Sequence, residues 1–474
     1  MEQPKGLFVL SGTEMWERFS FYTIVSILVL FMVEVLHFGN AFAALIFGII
    51  SASTYVLQIC GGYISDNYIG NRKAIYLGGF LMMIGQFILA YSASLYASSV
   101  NIPVHSSFIF TFQENVFIIG AVVLALGSGF FKVNISSLVG LLYEADDSRL
   151  DSAYTIFYMG VNVGALMALL ITTFVVGSGH SDLFQYGFLI AGIGLGLGLV
   201  MFTFFKDKYL RSVTGEPIGV IATAKDKLLL SQREDSGMRA KLSKIEIDRL
   251  YVIFVLSIMM IIFVIGSEQK FTSLTFFIQN HVNTAIPIIQ MSLPPEFFLL
   301  CNAVIIIVLA PIFAKLWLVL NHRNKEPSVI VKVGIGLIIL AISYIILLFC
   351  FNIVETGTDK VAMTWILVIV LVQCIAELLI SPIGLSLVTK LAPVKYVSSF
   401  MGVWFVAMAI GEILAGYFAG FYPNSAGAVT YFLGFIPIGN LLSFAAIFIA
   451  ISLIFGIACL VFKNKIINLM HGVK

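Results

Sequence analysis

Charge is what this chain has least of. Of 474 residues only 11% are Asp, Glu, Lys or Arg, against 60% hydrophobic, and the mean hydropathy is +1.03. That balance excludes an ordinary soluble domain and places the chain with polytopic helical membrane proteins. The five cysteines (Cys60, Cys301, Cys350, Cys374, Cys459) sit singly in apolar runs, with no CxxC and no histidine at ligand spacing. They read as small buried hydrophobes, not as disulfide partners or metal ligands. No basic cluster is interleaved with aromatics and the net charge is only +2, so nucleic acid is not an expected partner. None of the six histidines stands in an HxxxD or HxxEH setting. A membrane enzyme such as an acyltransferase, which needs a nucleophile and a base together, is therefore not expected. Strand alternation is missing too, and the apolar runs are too long for a β-barrel. MEQPKG leads into apolar sequence without a small-residue cleavage pattern, so the first segment is expected to stay as a membrane helix.

What is present is a series of apolar windows, about twelve of them, each long enough to cross a bilayer. They fall at about 7–35, 41–65, 73–95, 107–143, 152–177, 183–205, 250–279, 296–321, 328–351, 362–391, 397–421 and 434–462. Six precede a charged stretch and six follow it. The expected division is an N-terminal six-helix bundle at 1–205, a linker at 206–249 and a C-terminal six-helix bundle at 250–474. Lysines and arginines concentrate on one set of connections: Arg72 and Lys73, the linker from Lys206 to Arg249, Arg323 and Lys325, and Lys390 and Lys395. The opposite loops carry almost none. The positive-inside rule then puts both termini and the linker in the cytoplasm. Twelve helices split six and six about a basic linker is the layout of the major facilitator fold.

The first apolar segment carries charges it should avoid. Glu14, Glu17 and Arg18, in SGTEMWERFSFY, are spaced by three and four residues and share one helical face. Each intramembrane charge costs at least about 2.5–3.5 kcal/mol, so such a face normally lines a polar path. Arg18 and Lys132 are the membrane cations best placed to hold a carboxylate. Glu14 and Glu17 can neutralise them, and a glutamate that takes a proton releases its partner cation. A fixed structural ion-pair network joining helices one and four is the other reading. In the second half Glu268 and Glu377 offer an acidic pole, which suits a zwitterion with separated termini. Lys270 stands two residues past Glu268 and is able to pair with it instead. Tyr22, Tyr55, Asn162, Asn302 and Trp404 are candidates for lining the path, although aromatics taken singly more often pack. Asp66 and Arg72 read as a latch at the cytoplasmic surface. Glu412 is a further buried-segment acid, either a second proton site or a snorkelling group.

Several motifs in order resemble those of the proton-dependent oligopeptide transporter family. TEMWERFSFY is similar to its first-helix signature through Glu14, Glu17, Arg18, Phe19 and Tyr22. GGYISDNYIGNRKA resembles its loop between helices two and three, with Gly62, Asp66, Gly70 and Arg72. LGSGFFKVNISSLVGLLYE carries Lys132, FYMGVNVGA carries Asn162 and SEQKFTSL carries Glu268 and Gln269. AELLISPIGLSLVTKLAP supplies Glu377, Ser381 and Pro382, and MGVWF supplies Trp404. The resemblance implies pocket positions at Tyr55 and Asn302, a Glu377 that meets the substrate amino group and a Glu268 that joins a proton-linked gate. It also implies symport of di- and tripeptides with protons by alternating access, in a plasma membrane of bacterial type, by a chain that works as a monomer. Short peptides, protons and the lipid bilayer are then the expected partners. No cofactor is expected, the proton gradient being the drive. Three departures stand out: Phe21 replaces a tyrosine, Val25 stands where many members have a second arginine, and Val264 replaces a tryptophan. With fewer cations to grip a carboxylate, a single amino acid, another carboxylate solute or a drug is the alternative cargo.

Overall fold

Backbone hydrogen bonds left open in hydrocarbon cost several kcal/mol each, and helices are the one open-ended way to close them all within a segment. The computed structural model describes residues 3–95, 111–143, 150–176, 182–212, 215–220, 243–286, 291–323, 325–357, 360–380, 391, 397–423, 429–432, 434 and 436–472. It is an all-α membrane protein of the major facilitator type, and among the described residues twelve helical stretches are long and apolar enough to span a bilayer.

In the first half these are α1 (Lys5–Glu34), α2 (Asn40–Ile64), α3 (Asn71–Ser94), α4 (Phe112–Leu141), α5 (Leu150–Ile171) and α6 (Phe184–Tyr209). In the second half, α7 (Lys244–Ser267) and α8 (Ser273–His281) make one span, Lys244–His281. They are followed by α9 (Glu296–His322), α10 (Val329–Thr356), α11 (Met363–Ile380), α12 (Val397–Ala419), α13 (Leu441–Val461) and the short α14 (Lys463–Leu469). Polar residues fix several starts. Thr111 and Glu114 form a reciprocal capping box at α4, and Ser243 and Glu246 do the same at α7. The α7 box sits seven residues before the 250 expected for this helix, because the turn KIEIDR is helical without being apolar. Loop pairings also occur: β1 (Val282–Asn283) with β4 (Val361–Ala362), β2 (Ala285–Ile286) with β3 (Met291–Ser292), and β5 (Thr430–Phe432) with β6 (Ile436–Ile438). Two or three residues each are too few to leave an alternation in the sequence.

The chain forms two compact units. One comprises 1–39 and 53–238, the other 40–52 and 239–474, so the N-terminal half of α2 belongs with the second. Within the first unit α3 packs on α4 and α6, and α1 on α5 and α6. Its core gathers Leu7, Leu10, Ile75, Met82, Phe131, Ile135, Leu195 and Phe202. Glycines allow the closest crossings. A Cβ on Gly129 of α4 would stand 2.6 Å from the Leu57 carbonyl oxygen of α2. In the second unit α10 packs on α11 and α13, α12 on α7, and α9 on α11. There a Cβ on Gly48 would stand 2.5 Å from the Glu412 carbonyl oxygen.

Candidate functional site

α1 is the most enclosed of the candidate spans, and the three charges in its middle are inside. Glu14, Glu17 and Arg18 are 3%, 0% and 5% exposed. Arg18 Nε lies 3.1 Å from Glu14 Oε1, its Nη2 donates to Glu17 Oε1 at 2.7 Å, and its Nε also bonds Glu17 Oε2. The fork-shaped guanidinium is thus engaged by two carboxylates at once, the arrangement that lets a buried arginine keep its charge. Glu14 Oε2 is buried with no hydrogen-bond partner among the described residues, an acceptor open to a proton or a donor group. The Phe21 ring lies 4.8 Å from the Arg18 carbon centre, so the lost tyrosine hydroxyl leaves the cation–π face intact. Tyr22 meets Phe21 edge to face.

Lys132 comes to this group from α4. Its Nζ sits 5.3 Å from the Tyr55 ring centre on α2, and its charge reaches Glu14 through space. Two acids and two cations therefore share one unit. Asn162 on α5 donates to the Tyr158 carbonyl one turn back, at 2.8 Å. Arg72, 9% exposed, opens α3 and holds the end of α6. It pairs with Asp207 at 3.0 Å, donates to the Ile218 carbonyl at 2.6 Å and also bonds the Leu210 carbonyl. The Asp66 side chain, Ser381, Pro382 and linker residues 221–242 lie outside the described part.

The second unit has its own charged group, made by a break in a helix. α7 stops at Ser267, a 3₁₀ turn runs Glu268–Phe271, and Thr272 leaves helical geometry at φ −127°, ψ −96° before α8 resumes. Gln269, 2% exposed, secures the break by donating to the carbonyls of Ile265 and, on α12, Ala415, both at 2.9 Å. Tyr344 of α10 donates to the Gly266 carbonyl at 2.7 Å. The break turns Lys270 toward α11: its Nζ is 3.3 Å from Glu377 Oε2 and 3.9 Å from Glu268 Oε1. Lys270 also borders a small cavity with Leu274, Phe298, Asn302 and Gln373. Asn302 on α9 donates to Cys374 Sγ at 3.1 Å, and Trp404 is buried in α12. Glu412 is 6% exposed, so it is enclosed and does not snorkel to a surface.

A family model described as the POT family matches residues 72–223 and 221–432. The chain belongs to that family. Among its relatives, a di-/tripeptide transporter of Lactococcus lactis subsp. lactis is 30% identical over all of this chain and 97% of its own length. The peptide transporter YePEPT of Yersinia enterocolitica is 29% identical over 88% and 86%. Among solved structures, a peptide transporter POT with sulfate aligns at TM-score 0.78 and 27% identity, covering 99% of this chain and 96% of that one. A POT family transporter with 5-aminolevulinic acid aligns at 0.79 and 25%, covering 98% and 97%. Within this POT-family chain the residues that sequence reasoning left unassigned are Lys270 as a partner of Glu377 and Gln269 as a brace between α7 and α12. Neither spacing nor composition signals a contact between positions more than a hundred residues apart.

Proposed function

We propose that the chain imports di- and tripeptides with protons across a plasma membrane of bacterial type, both termini on the cytoplasmic side. The observation that carries this reading is the buried Glu14–Arg18–Glu17 cluster in a membrane helix. A proton taken by either glutamate weakens its hold on Arg18, freeing the guanidinium for a peptide carboxylate. Lys132 is the second cation on that side, and Glu377 is the acid for the peptide's amino end. The names of the relatives support peptides as cargo. The test is uptake of labelled dipeptide into proteoliposomes under an acid-outside gradient. Accumulation that a protonophore abolishes is the expected result; undiminished accumulation with the gradient collapsed overturns the coupling.

A second reading keeps the fold and changes the cargo to a single small amino acid or other carboxylate solute. Val25 favours it, since no second arginine backs Arg18, and so does the structural neighbour holding 5-aminolevulinic acid. Counterflow with a panel of labelled peptides and amino acids separates the two.

A further inference from the structure

Glu377 already has an ammonium. Lys270 Nζ lies 3.3 Å from its Oε2, the position that a substrate's amino group would take against the same carboxylate. The lysine and both of its acids belong to one unit, and none is loose on a surface: the side chains of Lys270, Glu268 and Glu377 are 14%, 21% and 27% exposed. At that exposure an ion pair is screened little enough to count, and its partner cannot simply be replaced by bulk water.

The second acid gives the lysine somewhere to go. Glu268 Oε1 is 3.9 Å from the same Nζ, so a shift of the ammonium away from Glu377 brings it closer to another carboxylate. The 3₁₀ turn over Glu268–Phe271 and the non-helical Thr272 place Lys270 where no regular helix would, with Gln269 bracing the turn from both sides. The backbone is held while the long lysine stem, with its several rotatable bonds, carries the charge between two acids.

We propose that Lys270 is a built-in competitor for the substrate's ammonium, occupying Glu377 in the empty protein and passing to Glu268 when a substrate amino group arrives. The proposal rests on the reading that Glu377 receives that amino group. It makes Lys270 a specificity-determining residue. A ligand with a free amino end must displace a resident charge, so only one that also satisfies Glu377 with good geometry gains by binding. A ligand without an amino group leaves the lysine in place. Removing the lysine relieves the competition; removing Glu268 takes away its alternative and strengthens it.

The experiment is inhibition of counterflow in proteoliposomes by dialanine and by N-acetyl-dialanine, on full-length wild type and variants, with thermal unfolding followed for each. Lys270→Gln should improve inhibition by dialanine about tenfold, the scale of one charged hydrogen bond, and leave N-acetyl-dialanine unchanged. Glu268→Gln should do the opposite, weakening dialanine alone. In a Glu377→Gln background Lys270→Gln should bring no gain. The two single variants move one ligand in opposite directions, so a folding defect cannot imitate the pattern. If Lys270→Gln weakens dialanine, or moves both ligands equally, Lys270 is a structural cation and the proposal is wrong. If dialanine does not inhibit even the wild type, the peptide reading itself fails and this proposal with it. Inhibition of the wild type together with an indifferent Lys270→Gln removes this proposal alone.

Discussion

Arg18 is held twice, by Glu14 across one helical turn and by its neighbour Glu17, and the two contacts are not equivalent. Glu17 engages the guanidinium through both oxygens and is fully buried, whereas Glu14 uses one and keeps the other without a hydrogen-bond partner. A bidentate pair of this kind is both stronger and more directional than a single contact. Glu17→Gln keeps the shape but removes the charge, which mimics a permanently protonated side chain. The variant should bind and exchange dipeptide downhill while losing at least most of its gradient-driven accumulation. Counterflow and acid-outside uptake measured on the same preparation decide this: a variant that still accumulates as well as the wild type means that Glu17 is structural. Phe21 shows the limit of reading residues as letters. Compared with a tyrosine it lacks a hydroxyl, yet its ring face lies against Arg18, where the hydroxyl would have contributed nothing to the cation–π contact.

Helices announce themselves in this sequence because lipid demands long apolar runs, and the twelve candidate spans among the described residues fall where hydropathy puts them. Their internal breaks do not. Nothing in GSEQKFTSL marks Glu268–Phe271 as a 3₁₀ turn, since it contains no proline and its single glycine precedes the break; the cause lies in Gln269 and Tyr344, which bond across to other helices. The Glu14, Glu17 and Arg18 group was legible for the converse reason: Arg18's partners lie one and four residues away on the same helix. Which helix a given glycine approaches is not legible in the sequence. The structure assigns Gly129 to α2, where a Cβ would stand 2.6 Å from the Leu57 carbonyl oxygen and 2.7 Å from its carbon. Both are backbone atoms, so they cannot swing aside. Gly129→Ala should therefore push α2 from α4 beside the Tyr55–Lys132 contact and cost about 1–3 kcal/mol. A lowered unfolding temperature in detergent is the expected outcome. An unchanged temperature would show the two helices to be less tightly apposed than this geometry requires.

For the molecule as a whole, each unit carries a charged group of its own. The first unit's group sets Glu14 and Glu17 beside Arg18 and Lys132, and among the described residues the second sets Glu268 and Glu377 around Lys270. A protonated glutamate in the first unit thus leaves that group with a cationic excess. Cargo length depends on how far along the first unit the cationic surface extends. Val25 is seven residues beyond Arg18, two turns on, so it falls on nearly the same face about 10 Å further along α1. A half-buried valine there ends the cationic surface at Arg18. Val25→Arg should restore a second grip and tighten binding of peptides with a free carboxylate about fivefold or more, while carboxyl-amidated peptides stay unchanged. Competition of the two peptide forms against one labelled substrate measures the difference directly. Equal responses would mean that this face of α1 does not meet the carboxylate. In that case Lys132, on α4, would be left as the cation that reads it, and the single-solute cargo would become the better account of Val25.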